Sequence, residues 1–216
     1  MMSTTGPADP PPERWEETMK TFEENDGEQA PPARPMLFTG SSTIVRWSTL
    51  SEDFPFAPVI NRGFGGSQVS DLLAWADRVI LPYQPRVAVV YSGDNDVAAE
   101  KSAERVIGDF VRLHAIIHEA LPETETVIIG PKLGPKRWHL ADVFRAVNDG
   151  LAEWADGISG VEVLDINEVM LGTDGLPRPE LYCDGVHLTP EGYAAWTGFL
   201  APRLQTIWAR SIEAGR

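Results

Sequence analysis

Apolar positions along the chain follow two alternating rhythms. Short unbroken runs such as Met36-Leu37-Phe38 and Val87-Ala88-Val89-Val90-Tyr91 stop at Gly, Ser, Asn or Asp, and predict strands near 36–40, 59–62, 87–92, 126–130 and 161–165. Between them the apolar residues recur at helical spacing. Val69, Leu72, Leu73, Ala76, Val79 and Ile80 mark one helix, and Val106, Ile107, Phe110, Leu113, Ile117 and Leu121 a second. Leu140, Val143, Phe144, Val147, Leu151 and Trp154 mark a third. The last helix opens at Thr189-Pro190, a capping residue followed by proline at the first helical position, and runs through Tyr193, Trp196, Leu200, Leu204 and Ile207.

Strands that are apolar at consecutive positions are covered on both faces, so strand–helix alternation predicts an α/β fold with a parallel sheet. The expected architecture is a three-layer, flavodoxin-like sandwich with five parallel strands in the order 2-1-3-4-5. In that order the first strand lies between the second and third, which places Ser42 between Gly66 and Asn95. Ligands of such sheets bind beyond the carboxyl ends of the strands, where the connections change direction.

Upstream of the first strand the pattern differs. Residues 1–12 are polar and proline-rich, ending in Pro10-Pro11-Pro12, and are expected to form a disordered arm. Trp15, Met19 and Phe22 then recur at helical spacing among glutamates, so residues 13–35 are expected to form a docking helix and its linker. Residues 36–216 are left as one catalytic domain. With 216 residues, 43% of them hydrophobic, the chain can bury one substantial core.

A formal net charge of -14 argues against nucleic acid and anionic membrane surfaces as partners, because both need clustered cations. Cys183 is the single cysteine, which excludes an intramolecular disulfide and a cysteine-rich metal cage; it is expected to be a small buried residue. The first residues, Met1 to Pro7, lack the basic start and apolar stretch of a leader, and no membrane span follows. A cytoplasmic protein is expected. Whether the chain forms a homo-oligomer is not encoded in any feature of this kind.

The strand ends carry the chemistry. Ser42 follows Thr39-Gly40-Ser41 and is placed to open the next helix, offering its hydroxyl and its own backbone N–H to one carbonyl; Ser41 is the rival, and a helix cap is the bland alternative. Gly65-Gly66 allows close backbone approach, with Gly66 N–H a candidate oxyanion donor. The partial dinucleotide fingerprint in this stretch fails at Gln68. In Gly93-Asp94-Asn95-Asp96, the Asn95 amide can donate to the same oxyanion, whereas Asp94, Asp96 and Asp184 make only a weak metal cluster. Asp184-Gly185-Val186-His187 puts an aspartate three residues before a histidine, so that it can hold one imidazole nitrogen while the other faces substrate. His114 and His118 stand four apart on a helix but lack an acidic third ligand, and are expected to be solvated.

Over residues 36 to about 200 the chain resembles the SGNH, or GDSL-type, hydrolases. Gly40-Ser41-Ser42, Asn61 to Gly66, Gly93 to Asp96 and Asp184 to His187 look like that family's four blocks in order. The resemblance implies Ser42 as nucleophile, His187 as base and Asp184 as its orienter. It also implies Ser42, Gly66 and Asn95 as the oxyanion hole, with no cofactor and no metal. One departure stands out: Ser41 occupies the place of the family's usual aspartate. The Gly-x-Ser-x-Gly elbow of the other large serine hydrolase fold is absent from the sequence.

The expected activity is therefore hydrolysis of a carboxylic ester, of short acyl or acetyl type, on a small-molecule, carbohydrate or lipid substrate. An acyltransferase using the same triad and a catalytically silent carbohydrate- or lipid-binding module are the alternatives. Arg137 and Trp138, in the loop after the fourth strand, are candidate substrate-binding residues, as a cation for an anionic group and a stacking surface for a sugar. Solvated charge and a core tryptophan are the competing reading for that pair.

Overall fold

The computed structural model describes residues 7–214. Its strands are β1 (Met36–Gly40), β2 (Val59–Gly63), β3 (Val87–Tyr91), β4 (Glu125–Ile129) and β5 (Val161–Leu164), all parallel, in the order β2-β1-β3-β4-β5. The helices in chain order are α1 (Glu16–Glu28), α2 (Ser42–Val45), α3 (Leu50–Asp53), α4 (Val69–Val79) and α5 (Asp94–Ala98). They continue with α6 (Ala103–Ala120), α7 (Ala141–Ala155), α8 (Asn167–Met170) and α9 (Pro190–Ala214).

Side chains alternate across the sheet, and both faces are covered. Leu37, Ala88, Val90 and Ile128 join the buried residues of α4, α6 and α7 in one cluster. Met36, Phe38, Val87, Val89, Tyr91, Val127 and Ile129 meet α2, α3, α8 and α9 in the other. This is the expected three-layer arrangement. Thr189 caps α9, its hydroxyl accepting from Gly192 N at 3.1 Å. No helix among the described residues is long and apolar enough to cross a membrane.

The register brings the carboxyl ends of the strands level. Gly40 lies opposite both Gly63 and Tyr91, Tyr91 opposite Ile129, and Ile129 opposite Leu164. Each loop that follows thus starts from one rim. Gly40 has no alternative there: at its φ of +130° a Cβ would lie 1.7 Å from Tyr91 O.

Helix α1 docks on the body of the protein, with Met19 fully buried and Trp15 and Phe22 packed on the same cluster as α4 and α6. Asp26 pairs with Arg62 and accepts from Tyr83 Oη at 2.6 Å, and Arg78 reaches Glu16 and Glu23. Residues 1–6 of the expected arm lie outside the described residues. The remainder is fastened: Asp9 pairs with Lys101 at 2.8 Å, and Trp75 Nε1 donates to Pro12 O.

Two expectations are corrected. Cys183 is exposed, because the turn between the short contacts at Tyr182 and Leu188 projects it outward. His114 is buried rather than solvated: it sits on Thr126 Oγ1 at 3.2 Å and against the edge of Trp154, while its neighbour His118 is exposed.

Candidate active site

Ser42 is the first residue of α2, with Ser41 at the cap position before it. The turn is tied down on both sides: Ser41 N donates to Tyr91 O at 3.0 Å, and Phe64 N donates to Gly40 O at 2.8 Å. Asn61 fastens the second strand end to the same helix, its Nδ2 donating to Ile44 O at 2.7 Å and its Oδ1 accepting from Gly63 N. Tyr193 Oη, from α9, donates to Thr43 O. The geometry separates the two serines. Ser42 Oγ lies 3.0 Å from His187 Nε2, whereas Ser41 is buried at 2% exposure.

The histidine is oriented from behind. Its Nδ1–H donates to Asp184 Oδ2 at 2.6 Å, leaving Nε2 to accept from the serine hydroxyl. Asp184 Oδ1 also accepts backbone N–H from His187 at 2.8 Å and from Val186 at 2.9 Å. Those bonds, with the His187 backbone N–H foremost and the imidazole next, hold the Asp184 carboxyl well below the usual carboxylate range. It therefore stays an acceptor, and the imidazole is kept in the tautomer that a base needs.

Three donors gather at the neighbouring strand ends. Neither Ser42 N nor Gly66 N bonds to a protein acceptor among the described residues. Gly66 has φ +87°, a conformation glycine adopts without cost, and a Cβ built on the adjacent Gly65 would sit 3.8 Å from the Cβ of Ser42. Asn95, on the first turn of α5, donates through Nδ2 to Ser67 O at 3.0 Å and keeps a second amide N–H.

The acidic residues beside Asn95 have other partners. Asp94 Oδ2 meets Lys132 Nζ at 2.5 Å and accepts from Tyr91 Oη. Asp96 accepts from Lys101 and from Val69 N at the start of α4; burial pushes its carboxyl up, against the opposing pull of Lys101. Among the described residues no group of three potential ligands is placed to hold a metal ion.

Of the two residues expected to face substrate, Arg137 is at the site, but its terminal nitrogens are bound to Asp94 O and Asn95 Oδ1. Trp138 is half-buried, packed against the cluster that α6 and α7 help to form, with the Arg145 guanidinium over its ring. Two residues escaped the pattern-based reading. Lys132 is buried beneath the site, reaching Thr43 Oγ1 and Tyr91 Oη as well as Asp94; burial pulls its ammonium down, with Asp94 opposing. Trp15, from the segment before α1, approaches within 3.8 Å of a Cβ position on Gly66. A lysine three residues past the apolar run Val127 to Ile129, in the loop that leaves the strand, was the available signal for the first. Nothing in the local pattern distinguished Trp15 from an ordinary docking residue.

Known proteins share this fold. Residues 29–195 match the GDSL-like Lipase/Acylhydrolase family. The rat protein named platelet-activating factor acetylhydrolase IB subunit alpha2 is 28% identical over 166 residues, covering 74% of this chain and 71% of its own. Among solved structures, a GDSL-like lipase from Bacteroides thetaiotaomicron superposes with a TM-score of 0.74 at 19% identity, over 89% of this chain and 98% of its own. A variant of an acetyl-xylooligosaccharide esterase from Geobacillus superposes with a TM-score of 0.61 at 17% identity, over 76% of this chain and 91% of its own. The family match spans most of the chain and includes Ser42, Gly66, Asn95, Asp184 and His187, so this chain belongs to the GDSL-like lipase/acylhydrolase family and is a hydrolase of ester bonds.

Proposed function

We propose that the protein is a serine esterase that cleaves short acyl esters, acetyl esters foremost, through an acyl-enzyme on Ser42. The observation that carries this reading is the continuous relay from Ser42 Oγ to His187 Nε2 at 3.0 Å and from His187 Nδ1 to Asp184 at 2.6 Å. As the Ser42 oxygen attacks the ester carbonyl, His187 takes its proton. The negative charge that develops on the carbonyl oxygen is met by Ser42 N–H, Gly66 N–H and the free amide N–H of Asn95. Each such donor is worth about 3 kcal/mol of barrier when the oxyanion is bound. His187 then hands the proton to the departing alkoxide. Water, deprotonated by the same imidazole, attacks the acyl-serine and releases the acid. Asp184 remains ionised throughout and balances the imidazolium.

The preference for small acyl groups is supported by two features. Trp15 stands beside Gly66, its ring 3.8 Å from a Cβ position there, and in this reading it limits the room for a long acyl chain. Two proteins resembled by this chain carry acetyl esters in their names, an acetylhydrolase and an acetyl-xylooligosaccharide esterase. A panel of p-nitrophenyl esters of increasing acyl length, with a sugar acetate added, tests this reading. The acetyl and propionyl esters should turn over fastest, and Ser42→Ala should lower kcat by at least about 10³-fold while Ser41→Ala keeps most activity. A fully active Ser42→Ala variant, or a preference for long chains, would contradict it.

A further inference from the structure

Asn95 has two identical-looking ends, and a carboxamide aids an oxyanion only if its nitrogen points the right way. Its orientation is set by two neighbours. Arg137 Nη2 donates to Asn95 Oδ1 at 3.0 Å, and Asn95 Nδ2 donates to Ser67 O at 3.0 Å. Rotating the amide by half a turn would set its NH2 against a guanidinium that has no acceptor to offer, and its oxygen against a carbonyl. Both bonds would be lost. The guanidinium is itself fixed, since Nη1 donates to Asp94 O at 2.8 Å and the side chain is only 21% exposed. A planar fork that binds a backbone carbonyl and the next side chain together is a geometry arginine supplies and lysine does not.

The loop carrying Arg137 is braced against the other half of the site. Lys136 N donates to Gly185 O at 3.1 Å, inside the turn that holds Asp184 and His187. Gly134 lies so close to that turn that a Cβ on it would come within 2.8 Å of Gly185 O. One loop therefore references the amide of Asn95 to the turn bearing the base.

We infer that Arg137 is a positioning residue for the oxyanion hole: it holds the Asn95 oxygen and thereby presents the remaining amide N–H to the developing oxyanion, instead of contacting substrate. Its positive charge on Oδ1 also polarises the amide and strengthens that N–H as a donor. The inference rests on the reading of Asn95 as an oxyanion donor.

A double-mutant cycle tests it, using p-nitrophenyl acetate, which is neutral and offers Arg137 no charge to attract. Arg137→Ala should lower kcat by about 10- to 100-fold, within the about 10²- to 10³-fold cost of losing a donor outright, with KM changed by less than about threefold. In an Asn95→Ala background the same substitution should change kcat by less than about twofold. Arg137→Met, which keeps the aliphatic stem, should behave alike, and methylguanidinium should restore part of the activity of Arg137→Ala but none in the double variant. Equal losses in both backgrounds, or a KM that rises for anionic esters with kcat intact, would overturn the proposal while leaving Asn95 in place. An Asn95→Ala variant with undiminished kcat would remove the Asn95 assignment, and the proposal with it.

Discussion

Asp184 serves three donors with one exposed carboxylate: the imidazole, and the backbone N–H groups of Val186 and His187. The two backbone bonds need only an acceptor, which an amide oxygen also provides. The bond to Nδ1–H needs an acceptor as well, and there an asparagine can present an NH2 group instead. Asp184→Asn should therefore leave the turn folded while disfavouring the tautomer with a free Nε2 lone pair, lowering kcat by up to about 10⁴-fold. Steady-state kinetics on a short ester checks this, and a loss under about tenfold would mean that His187 needs no orienting carboxylate. At this scale the candidate catalytic residue types were legible in the sequence, because Ser42, Gly66 and Asn95 follow punctuated strand ends and Asp184 and His187 share a punctuated Asp-Gly-Val-His turn ahead of α9. The role of Arg137 was not. Its two acceptors lie more than 40 positions away in the chain, and only the packed fold joins them.

Helix α6 lies across β4, and the contact includes a titratable group. Burial foremost, and the neighbouring His118 next, hold His114 below its ordinary value near 6.5. The unfolded chain consequently binds more protons than the folded one between the lowered value and about 6.5. Stability from this site is complete above about pH 6.5 and is lost as the pH falls through the folded value. Urea unfolding of the wild type should thus weaken more between about pH 7.5 and about pH 5 than that of His114→Gln, whose side chain has no charge to gain. Parallel losses in the two proteins would take His114 out of the acid response.

The long elements were readable for a simple reason: α4, α6, α7 and α9 each bury one continuous stripe, and the inner strands β1, β3 and β4 are apolar on both faces. The short helices α2, α3, α5 and α8, of four or five residues, have no room for a repeating stripe and left no periodic trace. His114 shows the limit of spacing alone. Two histidines four apart share a helical stripe, but α7 covers one through Trp154 and leaves the other in solvent.

At the scale of the whole molecule, the fold brings distant positions to one rim. Parallel pairing in level register puts the ends of β1, β2 and β3 side by side, and the long return to α9 carries Asp184 and His187 back across them. The order 2-1-3-4-5 followed from connectivity and predicts this meeting, whereas the closeness of Trp15 to Gly66 depends on where the chain before β1 folds back. That segment precedes residue 29, where the family match begins, so the contact of Trp15 with Gly66 lies outside the matched region. The chain carries 32 carboxylate residues against 18 Lys and Arg, and the cations at the site, Lys132 and Arg137, are engaged with the protein itself. The central claim is that one hydroxyl, selected by the fold, is the nucleophile. Incubation with a fluorophosphonate followed by peptide mass spectrometry addresses it directly: a single phosphonyl adduct on Ser42, absent after His187→Ala, is the predicted result. An unlabelled protein, or an adduct on Ser41, would contradict it.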